Sequence, residues 1–326
     1  MHHMDGVLIV DKPAGITSHD VVARVRRILR ERRVGHTGTL DPFATGVLVI
    51  LIGRATRLAQ FLSGAEKEYE AVVRLGYATD TGDLTGTPRE SERFTSDQSP
   101  APTGEAEAPV GLSFNSQEIE SAMAALRGEI DQVPPMYSAK KHQGQKLYEL
   151  ARRGKEIKRD AVRVTVFAFS PLSRLLTPHR DGSCDLTVRV VCSAGTYIRT
   201  LAEDFGKRLG VGAHLAALRR TRAGDFAIGQ SLTLDQLQEQ TDSGTLKAKL
   251  LTPDAALSRM PFVNLSADDS RRVLNGLEVR CDKHDGDWPD QQLVRMRGEA
   301  GQLLAVGVFD RASQRVHPRV VIDVEK

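Results

Sequence analysis

The alternation of apolar and polar residues predicts several strands in the first two-thirds of the chain. Gly6 to Val10 is a short apolar run, and Val47 to Ile52 is a continuous apolar run between glycines, typical of a strand buried on both faces. Between Tyr69 and Leu75 apolar positions alternate with mostly polar ones, which predicts a strand with one buried face. Val162 to Phe169 and Leu186 to Val191 predict two further strands.

Apolar residues at helical spacing predict two main helices. The first begins at Ser18 and continues to Leu29, and either Ser18 or Asp20 can cap its start. The second spans Thr196 to Leu209 and directly follows a strand. Strands and helices therefore alternate without a repeating unit, which indicates a mixed domain.

Two segments interrupt this pattern. Residues 91–116 contain mainly Pro, Ser, Glu and Ala with few large apolar residues, which predicts a flexible acidic insertion. Residues 134–163 begin with a Pro-Pro pair and are rich in Lys and Arg, with a short helix predicted at 147–153. We interpret this second segment as a basic arm.

The end of the chain is predicted to be a second unit that is mostly β. It contains one helix at 268–274 and strands at 293–296, 303–309 and 320–324. The fold class is therefore α+β, with residues 1–257 as a domain whose strands need not be parallel. Residues 258–326 form a small β-rich domain.

Composition narrows the class of protein. With 326 residues, 40% hydrophobic and 27% charged, the chain has the composition of a globular protein that can bury a full core. The early apolar run is closed by Asp11 and Lys12, and no later segment has the length of a signal peptide or membrane span. We therefore expect a cytoplasmic protein that does not associate with membranes. The three cysteines form no CxxC pair, so neither a disulfide framework nor a zinc site is indicated.

The distribution of charge is more informative than the net charge of +3. Residues 137–163 contain nine Lys or Arg against three acids, and residues 199–222 contain six against two. Residues 90–120 contain seven acids and one base. Two concentrated basic stretches favour a polyanionic partner, because phosphates are neutralised by local charge. The alternative interpretation is that the two basic stretches are helix faces exposed to solvent, with no polyanionic partner.

The run GHTGTLDPFATG, residues 35–46, is the first candidate for chemistry. It predicts a loop before a buried strand, but it lacks the Gly-Lys-Ser/Thr ending of a P-loop and the GxGxxG of a dinucleotide site. Its Asp41 is a candidate functional carboxylate. An Asp-Pro pair is also a common turn former or helix cap, so Asp41 alone does not define a site.

Tyr69 and Arg199 are further candidates that are weak when taken alone. Tyr69 lies at the start of a predicted strand, where a core aromatic is the common alternative, and the DTGD at 80–83 lacks the ligand spacing of a calcium loop. Arg199 lies near the start of a helix, where anions bind and where it could pair with a carboxylate. A solvated arginine is the alternative there.

Taken together, these stretches resemble the TruB family of tRNA pseudouridine-55 synthases, and they do so in order along the chain. DKPAGITSHDVV (11–22) is similar to the family's opening Lys-Pro-x-Gly-x-Thr-Ser motif, and GHTGTLDPFATG is similar to its catalytic loop. The other similar stretches are KEYEAVVRLG, PPMYSAKKHQGQKLYELARRG (134–154), CSAGTYIRTL and GAHLAALRRTRAGDF (212–226). The tail resembles the PUA-type RNA-binding domain that ends many such enzymes. The acidic insertion is longer than the family leads us to expect.

The resemblance implies a pseudouridine-synthase fold with a mixed, largely antiparallel central sheet flanked by helices. It implies no metal or cofactor, because the reaction turns a base over without redox change. Asp41 would be the nucleophile that attacks uracil C6 or ribose C1′, and the sequence leaves that choice open. Arg199 would keep a buried Asp41 charged, and Tyr69 would stack on the flipped base and offer an acceptor for the C5 proton. The further substrate contacts implied are His36, Tyr197, Leu218 and Lys12.

The partner implied by the resemblance is the T-stem and T-loop of tRNA, held by the basic arm as a mobile thumb. We expect no guide RNA and a monomer. Two other hypotheses remain open at this point. The chain could be an RNA-binding or tRNA-folding module with an inactive loop, and a folding activity could also accompany catalysis. It could instead be a guide-RNA-dependent relative that acts on ribosomal RNA.

Overall fold

The computed structural model describes residues 4–89, 112–138, 140–142, 145–151, 157–173, 175–281 and 287–322. Most of the predicted acidic insertion and parts of the predicted basic arm lie outside the described residues. The strands are β1 (Gly6–Lys12), β2 (Val34–Thr37), β3 (Thr45–Ile52), β4 (Lys67–Leu75), β5 (Gly128–Gln132), β6 (Lys141–His142), β7 (Gln145–Lys146), β8 (Val162–Pro171), β9 (Thr177–Pro178), β10 (Cys184–Cys192), β11 (Ala213–Ala223), β12 (Phe226–Ala227), β13 (Phe262–Asn264), β14 (Val279–Arg280), β15 (Leu293–Arg297), β16 (Leu303–Asp310) and β17 (Arg315–Val321). The helices are α1 (Ser18–Leu29), α2 (Ala59–Leu62), α3 (Ser116–Ala124), α4 (Leu147–Ala151), α5 (Ile198–Arg208), α6 (Leu234–Asp242) and α7 (Ala267–Leu274).

A ten-stranded sheet forms the centre of the main domain. Its order is β1-β3-β11-β4-β10-β8-β5, with β2 beside β3, β9 beside β10 and β12 beside β11. The pairs are antiparallel except β3 with β11, which run parallel. The expectation of a mixed, largely antiparallel sheet flanked by helices is confirmed.

Burial along the strands follows the sequence pattern. Seven of the eight residues of β3 are buried, as the continuous apolar run predicts. In β4 the buried positions alternate from Lys67 to Leu75, so one face of the strand packs on the core. Both strands meet β11 at the middle of the sheet, and this junction forms the floor of the candidate site described below.

Several local predictions need correction. Thr17, rather than Ser18 or Asp20, is the N-cap of α1, and Asp20 completes the cap by accepting the Thr17 backbone N–H at 2.8 Å. The predicted loop at residues 35–46 begins inside β2, which pairs with β3. The last strand begins at Arg315 instead of residue 320, because Arg315 pairs with Asp310 of β16, and the predicted end of this strand at 324 lies outside the described residues.

The C-terminal unit is a five-stranded sheet with the order β13-β15-β16-β17-β14, covered by α7. Its own core includes Trp288, whose ring packs edge-on against Phe309 at 5.5 Å between ring centres. A second apolar cluster is shared with the main domain, and it joins Val7 and Val49 to Val306. Among the described residues, no helix is both long enough and apolar enough to cross a membrane.

Candidate active site

A cavity of about 300 Å³ opens where β4, β11, the loop after β2 and the start of α5 meet. Its size suits one nucleoside-sized group rather than a large ligand. Five of the residues predicted to form the site line it, and Arg220 lies beside them. These five are Asp41, Tyr69, Tyr197, Arg199 and Leu218.

The loop that carries Asp41 is fixed by hydrogen bonds from the beginning of the chain. The hydroxyl of Ser18 donates to the carbonyl of Leu40 at 3.1 Å and accepts the backbone N–H of Leu40 at 2.9 Å. The Gly15 N–H donates to the carbonyl of Pro42 at 2.8 Å. These bonds fix the backbone on both sides of Asp41, so its carboxylate has a defined direction before any ligand binds.

Lys12 also stabilises the loop that carries Asp41, through hydrogen bonds from its buried side chain. Its ammonium donates to the carbonyls of Pro13 at 2.8 Å, Pro42 at 3.1 Å and Ala44 at 2.7 Å, and the residue is 0% exposed. Burial lowers the pKa of Lys12 to about 8, although Asp41 opposes the shift. The structure therefore places Lys12 outside the cavity as a support for the loop. The substrate contact that the resemblance implies for Lys12 stays a prediction, and a direct contact would require this buried side chain to become accessible.

Asp41 and Arg199 form a two-point ion pair at the cavity. Arg199 Nε lies 2.9 Å from Asp41 Oδ2, and Arg199 Nη2 donates to Asp41 Oδ1 at 3.3 Å. The Arg199 side chain is only 5% exposed, whereas 33% of the Asp41 side chain is exposed, so a ligand in the cavity can reach the carboxylate. Arg199 also donates to the carbonyls of Thr81 at 2.9 Å and Tyr137 at 2.7 Å, which fixes its guanidinium plane.

Opposing influences act on the pKa of Asp41. Burial raises this pKa, the adjacent Arg199 lowers it, and the second carboxylate of Asp83 raises it again. The net direction is upward. Asp83 itself is buried, and its Oδ2 lies 3.9 Å from Arg199 Nη1, so Arg199 stands between two carboxylates. Burial and Asp83 thus keep Asp41 more basic than a solvated aspartate in spite of Arg199, which favours nucleophilic or base chemistry.

Aromatic and apolar side chains form the other walls. Tyr69 of β4 pairs in register with Arg220 of β11, and Leu218 lies on β11 two residues before Arg220. Tyr197 precedes α5 and is held by Gln132 of β5, which accepts the Tyr197 N–H at 2.9 Å and donates to its carbonyl at 3.2 Å. Two tyrosines in one cavity can stack on a planar ring. Burial raises the pKa of Tyr69, so its hydroxyl is protonated at neutral pH.

The sequence interpretation missed two cationic residues of the cavity. Arg220, 1% exposed, donates to the carbonyls of Val47 at 2.7 Å and Gly38 at 3.0 Å. Lys67 donates to the carbonyl of Ser63 at 2.6 Å, and burial lowers its pKa to about 8. Both residues lie within stretches singled out from the sequence, but basic residues in a strand give no signal of burial. Within the described part of the chain, no three His, Cys, Asp or Glu side chains are grouped as a metal ion requires.

His36 lies on β2, outside the residues that line the cavity. Its ring meets the ring of His19 edge-on at 5.5 Å, and its Nδ1 is buried without a hydrogen-bond partner among the described residues. Burial lowers the pKa of His36 to about 4, so the ring is neutral at physiological pH. A contact with RNA would therefore occur beside the cavity and use a neutral ring.

A carboxylate paired with a buried arginine, beside two tyrosines, in a cavity on a mixed sheet fits the site that the resemblance to pseudouridine synthases implies. Comparison with known proteins agrees with this class. The family model described as TruB family pseudouridylate synthase (N terminal domain) matches residues 26–198, and the tRNA pseudouridylate synthase B C-terminal domain matches residues 199–258. The chain belongs to the TruB family and is an isomerase of this class.

Relatives and solved structures extend the match over nearly the whole chain. The tRNA pseudouridine synthase B of Thermobifida fusca is 45% identical over 283 residues, which are 86% of this chain and 89% of the relative. That of Cupriavidus metallidurans is 43% identical over 314 residues, 95% of this chain and 92% of the relative. A solved H/ACA RNP bound to a substrate RNA containing 2′-deoxyuridine is 25% identical with a TM-score of 0.68, covering 98% of this chain and 85% of that one. The expected pseudouridine-synthase fold is confirmed.

Proposed function

We propose that this protein isomerises uridine to pseudouridine at position 55, in the T-loop of tRNA, with Asp41 as nucleophile. The observation that carries the proposal is the ion pair of Asp41 and Arg199 at the cavity, at 2.9 Å, in a chain of this family. The curated relatives are named for action on tRNA. The target uridine would have to leave its stack, because the cavity admits one nucleotide rather than a duplex.

The carboxylate of Asp41 would form a covalent bond to the extruded nucleotide and so divide one difficult step into two. Attack at uracil C6 and attack at ribose C1′ both remain compatible with a carboxylate at the cavity. In either case the N1–C1′ bond breaks, the base turns over and C5 bonds to C1′. The bond to Asp41 then breaks again, C5 loses its proton and N1 gains one, so that the product is an isomer of the substrate and the carboxylate is regenerated. Because the pKa of Asp41 is raised, the ionised carboxylate is a stronger nucleophile than a solvated one.

Tyr69 and Tyr197 would hold the base while it is detached. A stacking contact with an aromatic ring contributes about 1–3 kcal/mol per base, which offsets the few kcal/mol that extrusion costs. Because the hydroxyl of Tyr69 is protonated at neutral pH, it would accept the C5 proton only by passing its own proton onward. Leu218 would close the apolar side of the cavity.

RNA binding outside the cavity would rest on the basic arm of residues 134–163 and on the tail. Within the described part of the arm, Lys158 and Arg163 are solvent-exposed, and Arg163 lies at the start of β8. The backbone of Tyr137, at the base of the arm, is bonded to Arg199 at 2.7 Å. A cationic arm joined to the catalytic arginine suits an enzyme that reads a stem by its phosphates. We propose that the protein acts as a monomer.

The deciding experiment uses an unmodified tRNA transcript with no guide RNA, nucleotide or metal added beyond the buffer that folds the RNA. Pseudouridine is mapped by carbodiimide modification and primer extension. We expect one pseudouridine, at position 55, and none there in a transcript that carries cytidine at this position. No product would overturn the proposal, and conversion only after a guide RNA is supplied would favour the H/ACA-like mode of the structural relatives.

Asp41→Asn tests the nucleophile. The variant should bind the transcript within about twofold of the unaltered protein and yield no pseudouridine, because the amide cannot form the covalent bond. Asp181→Asn, a change in the turn before β10, is the matched control and should remain active. Turnover by Asp41→Asn would remove Asp41 from this role. The same variant, assayed for refolding of misfolded tRNA, separates any folding activity from catalysis.

A further inference from the structure

Ser138 is a polar residue of the cavity wall that the mechanism above does not use. It lies near the start of the basic arm, shortly after β5, and it lines the cavity with Asp41 and Arg199. Ser138 as a whole is 5% exposed. Its hydroxyl oxygen is buried, and no described residue provides a hydrogen-bond partner for it.

An unsatisfied hydroxyl in this position is costly to the free protein. Leaving a buried polar group without a partner costs about 1–3 kcal/mol, and the large majority of buried polar atoms in proteins have one. The neighbouring cations are instead committed to the protein: Arg199 to two carbonyls and Asp41, and Arg220 to two carbonyls. The hydroxyl of Ser138 is therefore available for a ligand in the cavity.

The contacts around Ser138 show which side of the cavity it occupies. The carbonyl of the preceding residue, Tyr137, accepts a hydrogen bond from Arg199 Nη2 at 2.7 Å. The same Nη2 donates to Asp41 Oδ1 at 3.3 Å. Ser138 thus stands on the Asp41 side, close to where the nucleotide would be attacked.

We propose that the hydroxyl of Ser138 hydrogen-bonds the extruded uridine beside its glycosidic bond and so positions the nucleotide for attack by Asp41. This inference rests on the proposed function and adds a positioning residue to it. A nucleotide that presents C6 or C1′ to Asp41 brings two polar groups to this wall, the uracil O2 carbonyl and the ribose 2′-hydroxyl. A serine hydroxyl can donate to the first and can donate to or accept from the second.

The test is Ser138→Ala, compared with Ser270→Ala as a matched control. Ser270 of α7 also has a buried hydroxyl oxygen without a partner among the described residues, but it lies in the tail, away from the cavity. Because neither hydroxyl is bonded within the described protein, neither variant should have a lower melting temperature than the unaltered protein. Only Ser138→Ala should lower kcat/KM for the tRNA transcript, by about threefold to tenfold, as expected for one lost neutral hydrogen bond.

Unchanged kcat/KM in Ser138→Ala, with an active unaltered protein, would overturn this inference and leave the proposed function intact. A lower melting temperature for Ser138→Ala together with unchanged kcat/KM would assign the hydroxyl to the structure alone and also overturn it. An inactive unaltered protein would count against the proposed function instead. The three results are therefore distinguishable in one set of assays.

A transcript with 2′-deoxyuridine at the target position identifies the partner atom. Its dissociation constant is measured for the unaltered protein and for Ser138→Ala, beside the all-ribose transcript. If the affinity difference between the two proteins disappears with 2′-deoxyuridine, the ribose hydroxyl is the partner. If it persists, the partner is the uracil. Equal affinities of both proteins for both RNAs would contradict the contact.

Discussion

At the scale of single residues, the pKa of Asp41 is set by two opposing effects, burial of its carboxylate and the charge of Arg199. Burial raises the pKa of Asp41 above its ordinary value of 3.8, and Arg199 limits the rise. Only the ionised carboxylate can attack, so activity should fall as the pH falls through this raised pKa. In Arg199→Gln the opposing charge is gone, and the acid limb of the single-turnover rate should move to higher pH by about 1–3 units, with a lower maximum.

The rates are measured between pH 4.5 and 8.5 on the tRNA transcript. Arg127→Gln is the control, because Arg127 pairs with Glu120 and the carbonyl of Phe169 at a distance from the cavity, and its profile should match that of the unaltered protein. An acid limb that stays in place in Arg199→Gln would show that the ionising group is not Asp41.

At the scale of elements, the end of β1 supports the loop that carries Asp41 through the side chain of Lys12. Its ammonium is shared among three carbonyls of the chain, two of which, those of Pro42 and Ala44, lie within three residues after Asp41. In Lys12→Met these carbonyls lose their donor, which should lower the free energy of unfolding by about 1–3 kcal/mol. The loop would shift, and a displacement of about 1 Å can reduce a rate by up to about a hundredfold. We therefore expect a fall in kcat of about tenfold to a hundredfold with unchanged RNA affinity.

Rate and dissociation constant are measured in parallel, with Lys247→Met as an exposed-lysine control. Weaker RNA binding with an unchanged rate would support a direct substrate contact by Lys12 and contradict the role as a loop support.

Elements also show how far the sequence determines the structure. The apolar run of β3 and the alternation of β4 predicted these strands, because their burial depends on side-chain type alone. β11 was not predicted, since it carries Arg219, Arg220 and Arg222. Arg219 pairs with Asp11 of β1 at 2.7 Å, and Arg222 pairs with Glu68 of the neighbouring strand β4 at 3.3 Å, so acidic partners that are distant in sequence make a basic strand stable.

The candidate site was predictable only in part for a similar reason. The motifs identified Asp41, Tyr69, Tyr197, Arg199 and Leu218, and the structure brings these residues to one cavity. The motifs could not show that Lys12 lies beneath the loop, because a lysine in a strand end has no signal of burial in its neighbours. Contacts that join residues far apart in the chain decide such positions.

At the scale of the whole molecule, the tail is coupled to the main domain through Asp254. Its carboxylate accepts from Arg295 Nη1 at 2.9 Å and from Arg297 Nε at 2.8 Å, and Arg295 is 4% exposed. Beside this contact, Val7 and Val49 of the central sheet share an apolar cluster with tail residues such as Val306. Two domains joined by a common core should unfold together, so we expect a single calorimetric transition.

Asp254→Asn tests this coupling, because it removes the charge opposite two arginines of the tail. Breaking a largely buried ion pair from one side should lower the free energy of unfolding by about 3 kcal/mol, still in one transition. Asp268→Asn is the control, since Asp268 pairs with Arg271 in a solvent-exposed position of α7 and its loss should leave the melting temperature unchanged. Two separate transitions, with only the first shifted by Asp254→Asn, would show that the tail is held independently. A single lowered transition would mean that the tail stabilises the strands next to the loop that carries Asp41. Substitutions in the tail, distant from the cavity, should then also shorten the lifetime of the active enzyme on heating.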